Sequence, residues 1–357
     1  MGESNKNDDD KGCRVPLKEQ EEWKDVTPIP QEEEINTVCP IAYTDEYSDM
    51  MSYLRAVMAK CEVSQRALDL TGRIIKVNPG HYTVWMYRKK LVEDLDTDSE
   101  SELSWVTEIS EIHHKNYQLW HYREALISRL LDPRTVEDLT QDQLVNNPVI
   151  RRELLFASNA IDGDSKNFHA WSYRQWIVRT YGIWDQELVF IETMINEDVR
   201  NNSAWNQRYF VLMGNGRGKP ARELEPSSLE DALADREIDY AIEKIKLAPN
   251  NESPWSYITG LLLRHAPAKL YNTLLPKLQE LAAAGGEYAI SMTGTPMYWS
   301  TLVDIYEQQA QALPDQANAL LANARDACDL LASDHDPMRN RYWDFRKSQL
   351  TVGNASN

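Results

Sequence analysis

Residues 113–124 read HHKNYQLWHYRE and residues 164–175 read DSKNFHAWSYRQ. Both carry Lys-Asn-aromatic, a Trp five positions after the Lys, and an Arg three positions after that Trp. The phrase extends beyond these two copies. Trp85, Trp120, Trp171, Trp205, Trp255 and Trp343 stand in similar settings, and five of them have Arg at +3: Arg88, Arg123, Arg174, Arg208 and Arg346. After Trp255 the +3 residue is Ile258, a degenerate copy, and Trp299 marks a further worn one. Trp85 and Trp120 are 35 residues apart, and Trp171 and Trp205 are 34 apart. A period near 34 suits a unit of two helices with short connections. The longer intervals hold insertions around 132–148 and 214–228.

The intervening segments agree. Leu103, Val106, Ile109 and Ile112 form one apolar stripe at helical spacing, and Leu188, Ile191, Met194 and Ile195 form another. Strand patterns are nearly absent. The expected fold is all-α: an α–α superhelix, or solenoid, of helical-hairpin repeats forming a crescent over 46–350. Residues 1–45 form an acidic segment expected to be largely disordered or extended, with regular structure from near Tyr47, and 351–357 are a tail. Trp and Arg at i and i+3 share one helix face. The Trp is expected in the inter-helix core, and the part-buried Arg then needs a carboxylate or helix-end carbonyls.

Composition narrows the function classes. The chain of 357 residues has 38 basic and 56 acidic residues, a formal net charge of −18. That argues against a nucleic-acid-binding protein, which shows a basic footprint. The four cysteines, Cys13, Cys39, Cys61 and Cys328, form no C-x-x-C and no cluster, which fits a reducing, cytoplasmic setting. The polar, acidic start is expected to carry no signal peptide, and no apolar run is long enough to span a bilayer. Lys6 breaks the myristoylation pattern after Gly2, and the C-terminus is not a prenylation box. The sequons at Asn201, Asn251 and Asn354 carry no meaning without a secretory signal. Nucleotide loops and a G-x-S-x-G elbow are missing, and Gly214–Gly218 (GNGRG) reads as a flexible turn in an insertion. His113, His114 and His121 match no common zinc spacing.

The turn before each Trp carries the unusual chemistry. Four before it stand His81, Asn116, Asn167, Asn201 and Asn251. Asn is a good N-cap, so each phrase crosses from turn into helix here. Five before it stand Gly80, Lys115, Lys166, Arg200 and Asn250. A cation at a helix N-terminus opposes the helix dipole. A row of cations beside aligned helix N-termini suits an anion, a phosphate above all; the alternative is solvated charge in polar turns. Tyr82, Tyr117 and Phe168 follow at −3, and Thr83, Gln118 and His169 at −2. They make a mixed edge able to hold an apolar group with an anionic end, with at least one aromatic expected to serve inter-repeat packing. An anion-binding edge with neither nucleophile nor metal site fits a scaffold, or half of an active site completed by a partner.

The repeated Asn-aromatic-x-x-Trp-x-x-Arg phrase resembles the protein prenyltransferase α-subunit repeat. Trp23–Pro30 (WKDVTPIP), Tyr53–Val57 (YLRAV), Glu197–Arg208 (EDVRNNSAWNQR) and Ile245–Ser253 (IKLAPNNES) extend the resemblance over roughly 23–350. It is to the α-subunit shared by protein farnesyltransferase and geranylgeranyltransferase type I; the Rab geranylgeranyltransferase α-subunit is a poorer match. The resemblance implies a helical crescent around a β-subunit that holds the catalytic zinc and most of the isoprenoid pocket. Magnesium accompanying the diphosphate is a further implied cofactor. It implies that Lys115 contacts the diphosphate of farnesyl or geranylgeranyl diphosphate, with Tyr117 hydrogen-bonding beside it as the second catalytic residue. Gln118 would receive the C-terminal carboxylate of a CaaX protein, and Tyr82 would line the pocket for its last residue. Lys166, Asn167 and His169 would form the next loop facing diphosphate and partner. Phe168 stands where the family often has Tyr, so it is expected as a contact without a hydroxyl. A reading of another class is a non-catalytic helical-repeat adaptor for peptides or acidic ligands.

Overall fold

The computed structural model describes residues 15–31, 39, 41–136, 138–214, 229–284 and 291–351. The expected fold class holds: among the described residues the chain is an all-α series of helical hairpins, with no strand. The helices that matter for the site are α1 (Asp45–Ala59), α2 (Gln65–Val77), α3 (Tyr82–Asp94), α4 (Ser99–His113), α5 (Tyr117–Leu130), α6 (Gln141–Val145), α7 (Pro148–Gly163) and α8 (Phe168–Tyr181). Then follow α9 (Trp184–Glu197), α10 (Asn202–Gly214), α11 (Asp231–Leu247) and α12 (Glu252–His265). Further on lie α13 (Pro267–Lys269), α14 (Leu275–Ala283), α15 (Pro296–Ala312), α16 (Ala317–Leu330) and α17 (Asn340–Gln349).

The chain divides into two compact units. The first comprises Met1–Thr140, Asn146–Ile161 and Asn167–Tyr173; the second comprises Gln141–Val145, Asp162–Lys166 and Arg174–Asn357. In a repeat chain each hairpin touches mainly its neighbours, so division into units is a natural outcome.

The phrase tryptophans are buried in both units: Trp85, Trp120 and Trp171 in the first, Trp205, Trp255 and Trp343 in the second. Their indoles share one device. Trp85 Nε1 donates to Pro79 O (2.7 Å), Trp120 Nε1 to His114 O (2.8 Å), Trp205 Nε1 to Val199 O (2.9 Å) and Trp255 Nε1 to Pro249 O (3.0 Å). Trp299 donates to Thr293 O at 2.7 Å, six residues back like the others, so it is a true though worn copy.

The phrase arginines find carboxylates, as their burial requires. Arg88 Nε donates to Glu102 Oε1 (2.6 Å) and Arg123 Nε to Glu153 Oε2 (2.6 Å) in the first unit. Arg174 Nε donates to Glu187 Oε1 (2.8 Å) and Arg208 Nε to Glu237 Oε2 (2.7 Å) in the second. Each glutamate also accepts from the residue two past the next Trp: Tyr122, Tyr173, Gln207 and Tyr257 in turn. Each guanidinium lies 3.5–3.8 Å from the centroid of a ring three residues after its glutamate, namely Trp105, Phe156, Phe190 or Tyr240. Arg, Glu and a Tyr or Gln thus join consecutive hairpins through a buried node.

Three stretches are more definite in the fold than in the sequence. Part of the segment 1–45 is ordered: Leu17–Glu19 and Glu21–Trp23 form 3-10 turns, and Leu17, Trp23 and Val26 are buried. Arg66 of α2 holds this segment, donating to Asp25 Oδ1 at 2.7 Å with its guanidinium 5.2 Å from the Trp23 ring centroid. Ile112 ends its stripe facing outward, beyond the last turn that packs inward. The insertion at 132–148 is built, with a 3-10 turn at Pro133–Thr135 and the short α6. The GNGRG stretch past Gly214 lies outside the described residues, as do residues 1–14, Cys13 among them, and the tail after Thr351.

Candidate functional site

The site grows from the turns that start α3, α5 and α8, all in the first unit from Asn167 onward. Asn116 Oδ1 accepts the Leu119 N–H (3.2 Å) and caps α5; Asn167 Oδ1 accepts the His169 N–H (3.1 Å) and caps α8. The other end of each amide reaches back one repeat. Asn116 Nδ2 donates to Pro79 O (2.7 Å) and Asn167 Nδ2 to His114 O (3.3 Å). Those are the carbonyls that the Trp85 and Trp120 indoles already engage. One asparagine therefore caps its helix and ties its turn to the previous one. This sets the turns at residues 79–82, 114–117 and 167–169 in line. The second unit repeats the device: Asn201 reaches Ser165 O (3.3 Å) and Asn251 reaches Val199 O (2.7 Å).

What these turns present is unusual. Tyr82, Tyr117 and Phe168 are 64%, 63% and 71% exposed, so each presents most of its ring outward. Lys115 and Lys166 are exposed, Gln118 and His169 half-buried. The Lys166 N–H is held by Asp164 Oδ1 at 3.1 Å, within the second unit. The structure brings Tyr117 and His169 together, ring centroids 5.9 Å apart and edge to face, with Phe168 5.8 Å from His169. Tyr82 lies against His81, 6.4 Å between centroids.

Asn167 is 2% exposed, and both ends of its amide are engaged within the fold, so it positions the turn. Sequence reasoning missed His121, whose ring stacks beneath Tyr117 at 6.5 Å and whose Nδ1 lies 3.2 Å from Glu124 Oε2. Its signal was the i, i+4 spacing from Tyr117.

Burial lowers the pKa of His169 below its ordinary 6.5. Its imidazole is neutral at neutral pH, and protonation is opposed by folding, so its contribution to stability falls as pH drops below 6.5. An NMR titration is expected to give a midpoint below 6.5, and Tyr117→Ala is expected to move it back up by uncovering the ring. A midpoint at or above 6.5 in the unsubstituted chain would contradict this packing.

Chemically, the edge within the first unit offers the Lys115 ammonium, helix N-termini, exposed aromatic faces and a neutral imidazole. That suits an anionic head on an apolar body. Among the described residues no three His, Cys, Asp or Glu side chains gather where an ion could be held. No helix among them is long and apolar enough to cross a membrane.

Comparison with known proteins agrees with this geometry. The protein prenyltransferase alpha subunit repeat matches residues 64–95, 99–130, 150–181 and 184–214, each a helical hairpin described above. The chain is 31% identical to the protein farnesyltransferase/geranylgeranyltransferase type-1 subunit alpha of Dictyostelium discoideum, over 94% of this chain and 95% of that protein. Among solved structures, Candida albicans protein geranylgeranyltransferase-I complexed with GGPP matches with a TM-score of 0.72 and 30% identity, covering 92% of this chain and 98% of that one. That likeness puts the hairpin array in the α–α superhelix class. Geranylgeranyl transferase type-2 subunit alpha of Mus musculus is more distant, 25% identical over 58% of this chain and 35% of that protein. The chain belongs to the family of α-subunits shared by protein farnesyltransferase and geranylgeranyltransferase type I.

Proposed function

We propose that this chain is the α-subunit of a heterodimeric CaaX protein prenyltransferase. With a zinc-bearing β-subunit it transfers farnesyl or geranylgeranyl from the isoprenoid diphosphate to the cysteine of a C-terminal CaaX motif. Family membership supports the reaction class. The observation that carries the reading is the segment Lys115-Asn116-Tyr117-Gln118, held at the N-terminus of α5 with its Tyr ring turned outward.

Each residue then has a task. The Lys115 ammonium meets the diphosphate and offsets the charge that builds on it as the C–O bond breaks. The Tyr117 hydroxyl donates a hydrogen bond beside it. Gln118 donates to the terminal carboxylate of the protein substrate, and Tyr82 walls the pocket for its last residue. Phe168 and His169 form the neighbouring wall, with Lys166 adding charge. Among the described residues no group of three His, Cys, Asp or Glu gathers to hold an ion. The zinc is assigned to the partner, and magnesium to the diphosphate.

The test is co-expression with a partner subunit of this family, followed by transfer of labelled isoprenoid to a CaaX peptide. The expected result is a 1:1 complex that holds zinc and prenylates the peptide. A chain that stays monomeric, or a complex that leaves CaaX peptides unmodified, would favour the adaptor or the type-2 reading instead.

A further inference from the structure

Tyr117 is the first residue of α5 and stands 63% exposed, yet its ring is flanked on two sides. The His169 ring, from the start of α8, meets it edge to face at 5.9 Å. The His121 ring lies nearly parallel to it, 23° between planes and 6.5 Å between centroids, the geometry of an offset stack. His121 is held in turn, its Nδ1 lying 3.2 Å from Glu124 Oε2. A carboxylate only accepts, so the imidazole proton sits on Nδ1 and the bond fixes the ring. The Glu124 side chain is 26% exposed against 75% for His121, and burial raises its carboxyl above the ordinary 4.5. The anchor is therefore partly withdrawn from water, where a hydrogen bond counts for more.

Spacing makes one line of the three. Residues 117, 121 and 124 share a face of α5, four and three positions apart. Helical side chains lean toward the N-terminus, so Glu124 backs His121 and His121 backs Tyr117. Burial does not account for this line, because two rings so exposed shield little apolar surface. What the line does is restrict the rotamers of a phenol at the first turn of a helix, on the flank that His169 leaves open.

We propose that His121, fixed by Glu124, is a positioning residue that holds the Tyr117 hydroxyl toward the diphosphate. It acts through Tyr117, by removing orientations that the phenol would otherwise give up when the isoprenoid diphosphate arrives. The inference rests on the reading of Tyr117 as a diphosphate contact in an α-subunit.

The experiment measures single-turnover transfer from labelled isoprenoid diphosphate to a CaaX peptide by the heterodimer of the full chain with its partner subunit. His121→Ala is expected to slow transfer about tenfold at saturating diphosphate, with peptide affinity unchanged. His121→Phe is expected to recover part of that loss, since a phenyl ring offers Tyr117 the same face, and Glu124→Ala to lose about threefold by freeing the imidazole. In a Tyr117→Phe background His121→Ala is expected to cost nothing further, because no hydroxyl remains to be placed. His121 is exposed, so these variants are expected to fold and assemble as the unsubstituted chain does. A His121→Ala rate equal to the unsubstituted rate would overturn the positioning role. So would a loss that persists in the Tyr117→Phe background, or one that His121→Phe leaves unrepaired. Each of these leaves the α-subunit reading standing. A Tyr117→Phe heterodimer with full rate would overturn the contact assigned to Tyr117 and the positioning with it. An unsubstituted heterodimer that prenylates no CaaX peptide would overturn the functional reading as a whole.

Discussion

Glu153→Ala is expected to destabilise the protein by about 3–5 kcal/mol, because it strands a buried charge. Arg123 donates through Nε to Glu153 Oε2 at 2.6 Å and through Nη2 to Oε1 at 3.0 Å, and the Tyr173 hydroxyl donates to Oε2 at 2.8 Å. Glu153 is fully buried and Arg123 nearly so, with its guanidinium 3.7 Å from the Phe156 ring centroid. Removing the carboxylate leaves a guanidinium without its counter-charge and a phenol without its acceptor. Burial beside that carboxylate already raises the Tyr173 phenol far above its ordinary range, so the phenol cannot respond by ionising. The pair Arg123→Met with Glu153→Leu is expected to recover much of the loss, since apolar residues of similar volume often replace a buried ion pair at little cost. Urea unfolding of the two single variants and the double variant measures both effects. A single-variant loss under about 1 kcal/mol would mean that water reaches this node.

The repeat and its tryptophans are legible in the sequence because Trp-x-x-Arg recurs at nearly constant spacing. The requirement for a carboxylate is legible too, from the cost of burying an arginine. Which carboxylate is not. Arg88 and Arg174 reach glutamates 14 and 13 residues on, whereas Arg123 and Arg208 reach 30 and 29 residues on, because the insertions fall between partners. A lone Glu such as Glu187, beside Leu188 and ahead of Ile191, reads locally as a solvated charge, yet it is 1% exposed. Its signature is the aromatic three residues later, which supplies the ring over the guanidinium, and that pattern emerges only once the helices are paired.

The lead-in was hidden by composition. Its acids and prolines outweigh Leu17, Trp23 and Val26, and the residue that anchors it, Arg66, lies some forty positions away. At the site the caps were legible, since Asn before a helical stretch has a local cause. The reach of the same amide into the previous turn has none. Asn167 thus reads from sequence as a cap, and its tie to the previous turn through Nδ2 appears only in the fold.

Lys115→Ala is expected to slow prenyl transfer about 10²–10³-fold, the loss typical of removing one charge-stabilising group from a reacting anion. The backbone around it is held by other side chains: Asn116 Nδ2 donates to Pro79 O at 2.7 Å and the Trp120 indole to His114 O at 2.8 Å. A cation at the N-terminus of α5 works against the helix dipole by a few tenths of a kcal/mol, so helix stability does not account for its placement. Stability is therefore expected to change by no more than about 0.5 kcal/mol, and assembly with the partner to be unaffected. The effect should fall on the chemical step, read as a single-turnover rate at saturating isoprenoid diphosphate, with a smaller loss in diphosphate affinity. Lys115→Arg should restore part of the rate by returning the charge with altered geometry. Lys166→Ala should cost about tenfold or less, since the proposed function gives it a supporting charge rather than the direct contact of Lys115. If Lys115→Ala keeps the single-turnover rate while Lys166→Ala loses it, the two copies of the opening phrase have exchanged roles. An unchanged rate in both variants would remove the diphosphate from this edge altogether.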